Sequence, residues 1–321
     1  MWATIPVEGT GALPPPGPTD PLGIRPVSSW YFGDGALQLN RFAALRLTGQ
    51  IAALDSLLQR GFVERRPGGT VGFRVARALT RRLAAELTVD YNLGTLELTR
   101  ESASGLEAAR ASFVTAWNGA LTTGLVATRT VSSEATVSDH QGRQIVTAGT
   151  LLINVAPAGR LIPYVALGAG GVSNRGTGPS AVLAGAYQFT PGLTFGFPTQ
   201  LPTFHQTDTV TIRSSTSGGF VWVLGGGVKY AMSERWGVRV DVRDHLRGNP
   251  VRTLVDTAPA TPPTSFGVLA LFAVPNPPLV FSGVSDIPST LSGAPLAGFE
   301  TFRGAGVEHQ VNVTAGLFWR F

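Results

Sequence analysis

VNVTAGLFWRF, Val311 to Phe321, is the stretch whose reading decides the fold. Every second residue (Val311, Val313, Ala315, Leu317, Trp319, Phe321) is apolar, and the last two of that set are aromatic. Between them stand Asn312, Thr314, Gly316 and Arg320, with Phe318 as the exception. Alternation with period two puts one set on each face of a β-strand. Terminal segments are usually polar and frayed, so this apolar face implies a covering surface.

The same pattern recurs upstream. WGVRVDVR (Trp236–Arg243) sets Trp236, Val238, Val240 and Val242 against Gly237, Arg239, Asp241 and Arg243. FVWVLGGGVKY (Phe220–Tyr230) precedes it across a tight turn at Met232–Arg235, which makes a hairpin with aromatic residues near its ends. A second hairpin joins TVGFRVARAL (Thr70–Leu79) to LAAELTVDYN (Leu83–Asn92). A third joins QIVTAGTLLINVA to LIPYVALGAGG across Pro157–Arg160. With a first strand placed within Ser29–Leu39, the count is eight strands of about 9–12 residues, the length a tilted strand needs to cross a bilayer.

Composition agrees. Hydrophobic residues make up 43% of the 321 and charged residues only 14%, against about a quarter in ordinary soluble domains. Yet the longest apolar run, Phe266–Val274, is far short of a membrane-spanning helix. Forty glycines and 23 prolines suit turns and long links. With no cysteine, a disulfide framework and a thiolate metal site are both excluded. The net charge of +5 comes from scattered basic residues, without the basic helix or aromatic-basic platform of a nucleic-acid binder.

The links set the topology. Tight turns follow Leu79, Ala156 and Ala231, while long links cover residues 40–69, 93–143, 173–216 and 245–307. Short and long links alternate, as in an outer-membrane barrel with short periplasmic turns and long outside loops. The expected fold is therefore all-β: a transmembrane, antiparallel, up-and-down barrel of eight strands, with short helices or hairpin extensions in its loops. Residues 1–27 are expected as a Pro/Gly-rich periplasmic leader and 28–321 as the barrel. The N-terminus lacks a basic and then apolar export signal, so the expectation for an outer-membrane location is a signal peptide already removed.

PYVALGAGG (Pro163–Gly171), LGGGVKYAMSERWGVRVDVRDH (Leu224–His245) and the terminal VNVTAGLFWRF together resemble the OmpA-type eight-stranded outer-membrane β-barrel family. The likeness covers the strands and not the long links. It implies that Leu317, Trp319 and Phe321 resemble the signal read by the barrel-assembly machinery. The peptidoglycan-binding domain of the family's larger members is not expected.

Alternation assigns Arg74, Glu86, Asp90, Lys229, Arg239, Asp241, Arg243 and Arg320 to the lumen. An eight-stranded barrel is just wide enough for side chains to fill, and buried charges persist when paired or hydrated. A plugging ion-pair network is expected, ahead of a narrow, weakly anion-preferring pore. Some small barrels of this class act on lipid, which would need a Ser–His–acid constellation. His245, read as a polar residue at the membrane rim after Asp244, is the best placed of the four histidines. His140 and His205 fall in loops without metal-ligand spacing. No enzymatic activity and no cofactor are expected. GAGG and GGG do not complete G-x-G-x-x-G and read as close-packed barrel positions.

Within the links, Leu106, Phe113, Trp117 and Leu121 fall near helical spacing, as do Ile51, Leu54, Leu57 and Leu58. LTFGFPTQLPTF and FGVLALFAVPNPPLVF are apolar for exposed loops. Strands extended into a packed outer sheet are favoured there, ahead of a hydrophobic-ligand site or a partner surface on 173–216 and 245–307. The partners expected are outer-membrane lipid and the assembly machinery. A structural or surface-interaction role through the loops follows.

Overall fold

The structure is a computed structural model and describes residues 2–5, 8–45, 48–122, 126–138, 143–156, 159–192, 202–261, 267–271 and 277–320. Its fold is mostly β. The chain begins with β1 (Trp2–Thr4) and β2 (Gly9–Gly11), followed by helices α1 (Gly33–Leu45) and α2 (Asp55–Leu58). Next come β3 (Val63–Arg65), β4 (Thr70–Ala78), β5 (Leu83–Asn92), β6 (Leu96–Leu98) and α3 (Arg100–Ala120). The middle of the chain holds β7 (Val126–Ser138), β8 (Arg143–Asn154), β9 (Leu161–Arg175) and β10 (Ser180–Pro191). Then follow β11 (Phe204–Thr216), β12 (Gly219–Ala231), β13 (Trp236–Gly248) and β14 (Val251–Ala260). The last elements are β15 (Val268–Leu271), β16 (Leu279–Ser282), β17 (Phe299–Gly304) and β18 (Val307–Trp319).

An eight-stranded antiparallel sheet runs β1-β18-β13-β12-β9-β8-β5-β4, and a six-stranded sheet runs β2-β17-β14-β11-β10-β7. The two orders match position for position. Each strand of the second sheet is the chain's continuation, beyond a short break, of its counterpart in the first. β3 and β6, paired with each other, continue β4 and β5 in the same way. The molecule is thus two stacked tiers, lower and upper, built on one strand order.

The polarity of the two tiers is opposite. In the lower tier, Val71, Phe73, Val75, Leu87, Val89, Val165, Leu167, Trp222, Val240, Val242 and Leu317 are exposed on the outer face. The inner face carries Glu86, Asp90, Arg239, Asp241 and Arg243, all buried. In the upper tier the inner face is apolar: Ala181, Leu183, Tyr187 and Phe189 on β10, and Val210 and Ile212 on β11, are buried. Its outer face shows Thr207, Thr209, Thr211 and Arg213.

The upper tier packs around helices. α3 starts at Thr99, whose side chain accepts from the Ser102 N–H, a standard N-terminal cap. Leu106, Phe113 and Trp117 lie on its buried face. The Trp117 ring stacks on Tyr187 at 4.0 Å, and Phe113 stacks on Tyr31 at 4.9 Å. The β15–β16 hairpin adds Phe281, edge-on to Phe189 at 4.8 Å. The described part of FGVLALFAVPNPPLVF therefore closes a core as a separate two-stranded hairpin rather than as an extension of the outer sheet, and its residues 266 and 272–276 lie outside the described residues. Of LTFGFPTQLPTF, residues 193–201 lie outside the described residues.

Two expectations are corrected. Ser29–Leu39 holds no strand, because α1 begins at Gly33 and Trp30, Tyr31 and Phe32 are core side chains. The strand that precedes β4 in the lower tier is β1, in the stretch expected as a leader. It is held by backbone pairing to the last strand, Trp2 opposite Val311 and Thr4 opposite His309. Three residues carry no periodicity of their own, so this pairing is invisible locally.

Candidate functional site

The strongest constellation is the charged inner face of the lower sheet. β13 alternates Gly237, Arg239, Asp241, Arg243, His245 and Arg247 inward, because successive residues of a strand face opposite sides. Opposite them, β5 supplies Glu86 and Thr88. The Arg239 guanidinium donates to Glu86 and also to both oxygens of Asp241 at 2.7 and 2.8 Å. Arg243 donates to Glu86 at 2.5 Å and to Thr88 at 3.3 Å. From β4, Arg74 reaches Asp241 at 2.5 Å and Thr314 on β18 at 3.0 Å. The Tyr164 hydroxyl bonds Asp241 and accepts from Arg239. These contacts cross from β4 and β5 to β13 and β18, so the sheet curls back on itself. Among the described residues β1 and β4 form its two edges.

Glycine makes the space. A Cβ at Gly227 would stand 2.6 Å from the Tyr164 hydroxyl, and one at Gly225 would stand 3.0 Å from Arg243 Cγ. Larger residues there would displace the side chains that cross the interior.

A second layer sits above the first. Glu308 on β18 accepts from Arg65 at 3.2 Å and from Arg247 at 2.6 Å, with all three side chains at most 3% exposed. The amides of Asn92, Gln144 and Asn174 lie beside one another at the same level. Sequence reading missed Arg65, Arg247, Glu308 and Tyr164. Arg247 continues the same alternation and stands opposite Glu308 in the ladder, so the signal was present. It was lost by ending the strand near Asp244.

Of the eight residues assigned to the lumen, Arg74, Glu86, Arg239, Asp241 and Arg243 form one network. Asp90 is buried beside it, and neither carboxylate oxygen has a hydrogen-bond partner. The Lys229 ammonium lies over the Tyr164 ring at 4.8 Å. Arg320 lies just beyond β18, exposed and outside the network, over the Phe318 ring at 5.4 Å. Its backbone N–H still bonds the Arg235 carbonyl at 2.8 Å. Leu317 and Trp319 are on the outer face, and Phe321 lies outside the described residues.

The histidines are corrected as well. His245 is not a rim residue: it faces inward, 2% exposed, against Asn312 at 3.1 Å. His205 is in β11 rather than in a loop, and His140 lies outside the described residues. His309 pairs on the outer face with Asp244 at 2.9 Å. Among the described residues no group of three or more His, Cys, Asp or Glu side chains could hold a metal ion.

The upper tier contains one buried carboxylate of a different kind. Asp208 accepts from the Trp30 N–H at 2.6 Å and from the Ser29 hydroxyl at 3.0 Å, while its other oxygen is unpartnered. Burial without a cation raises its pKa from 3.8 to about 7. A group raised on folding stabilises the fold fully below its unfolded value and loses that contribution as pH rises through its folded value. Urea midpoints of the native chain should therefore fall between pH 4 and pH 7 and flatten above. Asp208→Asn should remove that slope. An unchanged slope in the variant would assign it to another group.

No protein-family model matches the chain, and neither a curated protein nor a solved structure is similar to it.

Proposed function

We propose that this chain is a bacterial outer-membrane β-barrel of the OmpA-type eight-stranded kind, with a plugged lumen and a structured outer tier that acts in surface interaction. The observation that carries the reading is the inverted polarity of the two tiers. An antiparallel sheet that exposes Phe, Trp, Leu and Val on one face and buries arginines on the other is stable with lipid outside it. Aromatic pairs edge the apolar belt. Phe220 and Trp222 meet edge-on at 5.0 Å near the upper tier, and Trp236 and Trp319 stack at 4.8 Å at the other end. From Phe220 to Tyr230 the strand spans ~33 Å at about 3.3 Å per residue. A tilt of about 40° reduces this to about 25 Å, the height of a barrel's apolar band.

The plugged state is supported by two ion-pair layers, one at Glu86 and one at Glu308, beneath a helix-filled tier. The runner-up, a narrow anion-preferring pore, draws on the two arginines that share the Glu308 carboxylate. Conductance in a planar bilayer separates them, after the chain is shown folded by its shifted mobility on an unheated gel. Silence is expected. Discrete anion-preferring steps that change when Arg239 or Arg243 is neutralised would make it a pore. Binding to a surface partner that is lost when the β15–β16 hairpin is trimmed would identify the outer tier as the working part.

A further inference from the structure

Arg143 opens β8 and Arg175 closes β9, and the two are direct ladder partners. Both are exposed and share the outer face, since their neighbours Gln144 and Asn174 turn inward. Two like charges directly opposite on adjacent strands destabilise the pair. Among the described residues neither arginine has a carboxylate partner. Elsewhere on the outer faces His309 pairs with Asp244, Arg213 with Asp256 and Arg252 with Glu300.

The interior behind the pair adds positive charge, and on the outer face Glu64 and Glu97 face each other on β3 and β6, Glu97 paired with Arg66. A crevice between the tiers is lined by Arg65, Leu96, Arg143, Asn174, Arg175 and Thr216. Behind it, Arg65 and Arg247 share the single carboxylate of Glu308, leaving one uncompensated positive charge. On the outer face the pair sits one alternation step above Ile145 and Ser173, where the apolar belt ends and the polar outer tier begins.

We propose that Arg143 and Arg175 bind the phosphate group of an anionic lipid of the outer leaflet. Two arginines directly opposite on adjacent strands suit bidentate phosphate recognition, and an anion between them relieves their repulsion. The height is that of lipid head groups if the belt lies in a bilayer, so this inference rests on the membrane reading above. A free phosphate would satisfy the same donors but would gain nothing from the adjoining apolar belt.

The test uses the full chain, folded in neutral detergent, titrated separately with short-chain phosphatidic acid, short-chain phosphatidylcholine and inorganic phosphate. Insertion into phosphatidylcholine vesicles is scored in parallel. Phosphatidic acid should bind the native chain on the order of tenfold or more tighter than it binds Arg143→Gln/Arg175→Gln. It should also bind tighter than either other probe. The single variants Arg143→Gln and Arg175→Gln, each intermediate, serve if the double variant does not fold. Equal phosphatidic acid binding by native chain and variant would overturn the site. Inorganic phosphate binding as tightly as phosphatidic acid would overturn the lipid and make the ligand a free anion. A native chain that stays out of vesicles, yet binds phosphate through these arginines, would overturn the membrane reading and leave the anion site standing.

Discussion

Glu86→Ala should lower the unfolding free energy of the vesicle-inserted chain by about 3–5 kcal/mol, the cost of removing one partner from a buried ion pair. The Glu86 carboxylate is fully enclosed and accepts from both Arg239 and Arg243. Without it, Arg239 keeps Asp241, but Arg243 keeps only Thr88 at 3.3 Å and Asp241 at 3.5 Å. Most of the loss is thus the desolvation of a guanidinium whose partner is gone. Lys229→Met is the matched control on the same inner face. Its ammonium meets only the Tyr164 ring among its described contacts, and it should cost about 1 kcal/mol or less. Equilibrium urea unfolding from vesicles measures both. A loss below about 1 kcal/mol for Glu86→Ala would mean that water already solvates the network, and the plugged lumen would be abandoned.

Leu167→Arg should cost about 2–4 kcal/mol, the penalty for a cation at the bilayer midplane of a barrel. Leu167 is 50% exposed on the outer face of β9 and stands opposite Leu151 and Leu224 in its ladders, near the middle of the belt. On a water-facing surface the same change would stay within about 0.5 kcal/mol. Thr209→Arg, on the outer face of β11 in the upper tier, provides that water-facing comparison and should be nearly neutral. The pair of variants therefore reports which tier meets lipid. Equal, small effects at both sites would overturn the membrane reading whatever the conductance result.

The lower tier was largely legible because its signal is local. Alternation in Thr70–Ala78, Leu83–Asn92, Trp236–Arg243 and Val311–Trp319 needs only neighbouring residues, and each of these segments is a strand. α3 was legible for the same reason, since Leu106, Phe113 and Trp117 fall on one helical face. The upper strands were harder. Where β13 passes into β14 and β9 into β10, the apolar set moves from the outer face to the inner one. Such a phase change reads in sequence as the end of a strand. That is why Arg247 fell into the link assigned to residues 245–307, and Glu308, just past it, was left outside the strand read from Val311.

The amino-acid sequence by itself determined the antiparallel β character, the tight turns, the apolar outer face of the lower tier and the charged set on its inner face. Each follows from period-two alternation and turn chemistry, which act over a few residues. Only the tertiary structure decided which charges meet. The bond from Arg239 to Glu86 spans 153 residues, and that from Arg65 to Glu308 spans 243. Such partners are chosen by ladder register and sheet curvature rather than by any local pattern. The tertiary structure likewise made β1 a strand: three residues hold an extended conformation because β18 supplies their hydrogen bonds. It also stacked the two tiers, since the upper strands inherit the order of those beneath them and bury their apolar face on helices.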